Sequence, residues 1–131
     1  MTLNEKDRYE VINYRIEQAN EAVEDVSFLL ENNKLKLAVN RIYYGMFYIV
    51  SALAIKHQFN TSRHQQLLGW FNKEFIKTGK IPVKFGKIFR EAYSRRTDVD
   101  YGDIKEYARE DVEKWYRQMK EFINQVEIYL K

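Results

Sequence analysis

Residues 37–55 read LAVNRIYYGMFYIVSALAI, and of these nineteen only Asn40, Arg41 and Ser51 are plainly polar. A surface helix carries one apolar stripe; a helix that is apolar nearly all round is central in a bundle or spans a membrane. The length allows either, since a span takes about 20 apolar residues. Arg41 near the start, the aromatic run Tyr43, Tyr44, Phe47 and Tyr48, and strongly charged flanks favour the core of a soluble bundle. No membrane is therefore expected. One problem remains, which is why a buried helix carries Asn40 and Arg41.

Working outward, the pattern on both sides is helical. Upstream, Ile12, Ile16, Ala19, Val23, Val26 and Leu30 step alternately by four and three, with Ala22 and Leu29 widening the stripe. That spacing predicts a long amphipathic first helix, capped by Thr2 or Asn4 and ended at Asn32-Asn33. So short a connection makes it an antiparallel hairpin with the second helix, expected over about Lys34–His57. Downstream, Thr61 or Ser62 is a good cap for a third helix that stops at Thr78-Gly79, with Pro82 in the first turn of a fourth. Ser94–Asp103 is polar and reads as a loop. Val112, Trp115, Met119, Phe122, Val126 and Tyr129 then define a last helix beginning near Tyr107–Glu110. The expectation is all-α: one domain over residues 1–131, an up-and-down bundle of about five helices with two long terminal ones.

Composition excludes several classes. At 131 residues without cysteine, the chain can bury a real core and has no disulfide or thiolate chemistry. The N-terminus shows no signal-peptide pattern, which with the missing cysteines leads to a cytoplasmic expectation. Two histidines, no Glu-x-x-His pair, no P-loop and no serine-hydrolase elbow leave no metal or cofactor to expect. The net charge of +3 hides a strong asymmetry. Residues 1–33 carry −5, residues 34–55 carry +3, residues 56–96 carry +8 and residues 97–131 carry −3. A basic middle between acidic ends implies an anion-facing surface, ends that pair with the middle, or simply a solvated basic face.

Three polar groups could carry chemistry. Asn40-Arg41 with Tyr43-Tyr44 lies on the buried helix, where an arginine needs a carboxylate; Asp98, Asp100 and Asp103 are the candidates for a structural pair. Arg63-His64 opens the third helix, as a surface histidine or as a donor to an anion. Arg95-Arg96 followed by Asp98, Asp100 and Tyr101 suits a helix C-terminus or a phosphate clamp, because guanidinium forks match phosphate oxygens.

Together AVNRIYYGMFY (38–48), His64, FNKEFIKTGKIP (71–82) and R-x-x-x-D-Y-G-D (96–103) resemble the HEPN family of small prokaryotic helical proteins, over nearly the whole chain. The resemblance implies a bundle of about five helices, a homodimer, and pairing with a minimal nucleotidyltransferase as a toxin–antitoxin couple. It further implies, for active toxins, metal-independent RNA cleavage by an arginine followed by a histidine with four to six residues between them. In related pairs a tyrosine beside that motif is nucleotidylated, which draws attention to Tyr101. This chain departs from the motif, for no histidine follows Arg95 or Arg96 at that distance, and no arginine precedes His57 or His64 correctly. The expected function is thus a homodimeric module binding a nucleotide or RNA phosphate in a cleft drawn from Asn40, Arg41, Tyr44, His64, Arg95, Arg96, Asp100 and Tyr101. The alternatives are a ribonuclease in which His64 substitutes from another helix, and a non-catalytic structural dimer.

Overall fold

The computed structural model describes residues 4–100, 102 and 106–131. Five α-helices follow in order: α1 Glu5–Glu31, α2 Leu35–Lys56, α3 His64–Phe71, α4 Val83–Asp100 and α5 Arg109–Glu127. A π-helical turn, Asn72–Ile76, extends α3, and a 3-10 turn, Ile128–Leu130, closes α5. The all-α bundle expected from the sequence is the one observed, with no strand among the described residues.

Local chemistry sets the ends of α1. Asn4 accepts a hydrogen bond from the backbone N–H of Asp7 at 2.8 Å, and Glu5 and Asp7 face the positive end of the helix dipole. Asn33 takes a left-handed φ of 55°, and Lys34 N–H donates to the Leu29 carbonyl at 2.8 Å, so the chain reverses directly into α2.

Helix α2 is the axis of the bundle. By length and composition it could cross a membrane, but 67% of its apolar window is buried inside the protein, as a core helix requires. Gly45 lies where three helices meet. A Cβ there would stand 2.1 Å from Met119 Cε of α5 and 3.3 Å from Ala22 Cβ of α1. The fully buried residues of α1 are accordingly Ala19, Ala22, Val26 and Leu30, while Ile12, Ile16 and Val23 are only half-buried. The buried face of α1 keeps the three-and-four spacing, with small side chains at Ala19 and at Ala22, where Gly45 approaches.

Two local expectations are corrected. The cap of α3 is Arg63, with no side-chain bond of its own, because the Thr61 hydroxyl accepts from the Arg63 N–H at 3.1 Å and donates to Gln66 Oε1 at 2.6 Å. Residues 94–100, read as the start of a loop, are instead the last two turns of α4. Their polar side chains find partners along the helix: Thr97 Oγ1 donates to the Tyr93 carbonyl at 3.0 Å, and Arg96 pairs with Asp100 four residues on. The Arg95 guanidinium lies over the Trp115 ring of α5, 3.8 Å from its centroid. Gly102, at φ 74°, follows the helix end, its N–H bonded to the Val99 carbonyl.

Candidate functional site: an arginine–histidine cluster on an aromatic floor

Extending α4 to Asp100 brings its last turns beside the first turns of α2. On α2, Asn40, Tyr43, Tyr44 and Phe47 are spaced by three, one and three, which puts them on one face. On α4, Phe89, Tyr93, Arg96 and Asp100 do the same. His64, the first residue of α3, sits between them. Its ring lies 4.6 Å from Phe47, 5.5 Å from Tyr43, and 5.9 Å from both Tyr44 and Tyr93, centroid to centroid. The Arg96 guanidinium lies 5.5 Å from the Tyr44 ring and 5.9 Å from the Tyr93 ring. Arginine and histidine thus share two tyrosines.

Hydrogen bonds lock the cluster. Arg96 Nη2 donates to the Tyr44 hydroxyl at 3.1 Å, and Arg96 Nε lies 2.7 Å from Asp100 Oδ2. The Nε approach is off-axis and is an ion pair rather than a linear hydrogen bond. Asn40 Nδ2 donates to the other Asp100 oxygen at 3.0 Å. Asn40 therefore has its role on a buried helix: it ties α2 to the end of α4.

The Tyr43 hydroxyl and His64 Nδ1 are 2.6 Å apart. Tyr43 is fully buried. Burial pushes its phenol well above the ordinary tyrosine range, with the Arg96 charge opposing, so the O–H stays protonated. Burial, reinforced by the Arg96 charge, pulls the His64 imidazole below its ordinary value, and Asp100 opposes only in part. A neutral imidazole facing a protonated phenol accepts at Nδ1, which leaves the ring proton on Nε2 as a hydrogen-bond donor. For Arg96, burial works against the charge but is outweighed by the Tyr44 hydrogen bond and by Tyr44, Asp100 and Tyr43. It is a permanent cation.

The His64 shift has a sign that can be checked. The unfolded histidine titrates at about 6.5 and the folded one lower, so the unfolded state binds more protons as the pH falls through that window. The contribution is fully present above about pH 6.5 and is lost below it. Thermal melts from about pH 7.5 to pH 5 should show His64→Asn losing less stability on acidification than the parent chain. Equal slopes would show that His64 does not titrate abnormally.

The cluster collects Asn40, Tyr44, His64, Arg96 and Asp100 of the residues singled out in the sequence. Arg41 stands at its flank, 5.5 Å from the Tyr44 ring and 5.8 Å from Tyr48. Of the aspartates expected to pair with Arg41, Asp100 is taken by Arg96 and Asn40, and Arg41 Nε is buried without a hydrogen-bond acceptor among the described residues. Its guanidinium lies against the Tyr44 and Tyr48 rings. Arg95 is not part of the cluster, because one residue along a helix turns a side chain by about 100° and carries it to Trp115. There burial lowers its pKa, offset by Glu91, Tyr107 and Asp111. Tyr101 and Asp103 fall outside the described residues. Tyr43, named with Tyr44 in the sequence, Phe47 and Tyr93 complete the floor; Phe47 and Tyr93 were not among the sequence candidates, and their helical register with Asn40 and Arg96 was the available signal.

The chain is thus an all-helical bundle that presents an arginine and a histidine on a tyrosine floor. The HEPN domain model matches residues 12–129, and the chain belongs to that family. It is similar to a UPF0332 protein of Thermotoga maritima, 39% identical over 125 residues that cover 95% of this chain and 93% of the relative. It is 36% identical over 115 residues to a protein of Methanocaldococcus jannaschii named "Putative toxin MJ0142", covering 88% of this chain and 78% of that one. A UPF0332 protein of Pyrococcus horikoshii is 27% identical over 85 residues, covering 65% and 60% of the two chains.

Proposed function

We propose that this chain is an RNA-phosphate-binding HEPN module, working in the cytoplasm as a homodimer and as the partner of a minimal nucleotidyltransferase in a toxin–antitoxin-type pair. The observation that carries the binding site is the meeting of Arg96 and His64 over Tyr44 and Tyr93. A guanidinium and an imidazole N–H are donors suited to phosphate oxygens, and tyrosine faces are platforms on which unpaired bases stack. Exposed cations from the basic middle of the chain, among them Arg63, Lys73, Lys77, Lys87 and Arg90, add long-range attraction for a polyanion. The toxin designation of the M. jannaschii relative supports the toxin–antitoxin setting, and the family resemblance supports the dimer and the partner.

The Asp100 carboxylate holds the place a phosphate would take. Its pair with Arg96 is partly open to solvent, with side chains 17% and 35% exposed, so a phosphate can compete for the guanidinium. Anisotropy of a fluorescein-labelled single-stranded RNA should therefore rise saturably with protein. The affinity should fall steeply between about 50 and 200 mM salt, with a log–log slope of about −0.7 per phosphate neutralised. No binding at low salt would remove the proposal.

A second reading is RNA cleavage, favoured by the same convergence: His64 comes to Arg96 from another helix although the linear motif is missing. Attack of a 2′-hydroxyl needs a base to take its proton. Here Nδ1 already accepts from Tyr43, so the ring is set up to donate, which favours binding over cleavage. RNA incubated with the pure protein and a chelator should stay intact. Cleavage that disappears in His64→Ala would make the protein a ribonuclease instead.

A further inference from the structure

Phe47, which packs on His64, also lines a separate cavity of about 260 Å³ between α1, α2 and the segment before α3. Its polar wall is Arg15, Ser51, Asn60, Thr61 and Ser62, and no carboxylate lines it. Arg15 Nη1 donates to Gln18 Oε1 at 2.7 Å, while Nε is buried with no acceptor among the described residues. Arg41 and Arg96, whose Nε atoms are also enclosed, lie against tyrosine rings, and Arg96 has a carboxylate as well; Arg15 shows neither among the described residues. A guanidinium N–H withdrawn from water needs an acceptor. Ser51 sharpens the case, being a buried polar residue, 8% exposed, on a stretch of α2 that is otherwise apolar. Thr61 spends its hydroxyl on Gln66 and Arg63, which fixes the wall that carries Asn60 and Ser62.

We propose that this cavity is a binding site for a small organic anion, its charged head on Arg15 and Ser51 and its apolar body against Phe47, Ile55 and Phe59. The volume lies just under the range of drug-sized ligand pockets, about 300–1,000 Å³, which limits the ligand to a small carboxylic acid or a phosphomonoester.

The test uses the full chain with benzoate and phenyl phosphate as probes, against inorganic phosphate and sodium chloride at matched ionic strength. Thermal shift and amide NMR titration are the readouts. At least one organic anion should bind saturably and raise Tm, and which of the two does so identifies the head group. Arg15→Met should weaken it about tenfold or more, Arg15→Lys less, and Ser51→Ala measurably, while Arg96→Ala leaves it unchanged. Ser51→Ala keeps the test decisive should Arg15→Met fold poorly. The proposal is overturned if neither probe saturates, if sodium chloride or inorganic phosphate gives the same response, or if Arg15 and Ser51 variants bind like the parent. Loss of binding in Arg96→Ala alone would assign the anion to the RNA site instead.

Discussion

Arg96→Ala should weaken RNA binding by about tenfold to a hundredfold, the worth of charge-assisted hydrogen bonds at roughly 1.5–3 kcal/mol. The salt slope should fall by about 0.7 for each phosphate the guanidinium had neutralised. Folding should change little, because the Asp100 pair is partly solvated and Tyr44 remains packed by Phe47 and Tyr48. Asp100→Asn carries the opposite sign. It removes the competing carboxylate but keeps an oxygen for Asn40, and should raise RNA affinity by up to about fivefold. Arg95→Ala is the control, since Arg95 lies on Trp115 away from the cluster. Anisotropy titrations of the three variants check all of this. An Arg95 effect larger than the Arg96 effect would put the RNA elsewhere.

Phe122→Ala should cost about 3–5 kcal/mol of stability, read by urea unfolding with the slope unchanged. Phe122 is fully buried on α5, with its ring 5.3 Å from Phe89 and 6.2 Å from Phe85, both of α4, and 5.6 Å from Phe71 of α3. Phe89 in turn stacks on Tyr43 at 5.9 Å, which places the Tyr43–His64 hydrogen bond two rings away from the cavity that truncation would open. Domains of this size are stable by about 5–15 kcal/mol, so the variant should be marginal. A loss under about 1 kcal/mol would mean that the core closes around the gap.

The sequence made some of this legible and hid the rest for physical reasons. Helix α2 could be read within a residue at each end because a continuous apolar run bounded by Lys34 and His57 has few alternatives. The start of α1 was legible in Asn4 and its end in Asn32-Asn33, since capping is local chemistry. The helicity of residues 94–100 was not legible: the stretch is polar, and what holds it includes the Trp115 face, which belongs to another helix. That one misreading also merged Arg95 and Arg96 into a single clamp, although a helix separates neighbours onto different faces. The meeting of His64 and Arg96 depends on how α3 and α4 pack against α2, and no local pattern records it. Asn40 could be suspected, since a polar side chain on a buried helix must find a partner.

The central claim is that Arg96 and His64 together receive an RNA phosphate. Its most direct test is NMR titration of the full chain, labelled at histidine and arginine side-chain nitrogens, with a short single-stranded RNA. The expected result is saturable, parallel movement of the His64 ring nitrogens and the Arg96 Nε signal, with His57 and Arg95 still. Movement of His57 and Arg95 with His64 and Arg96 unmoved would contradict the account.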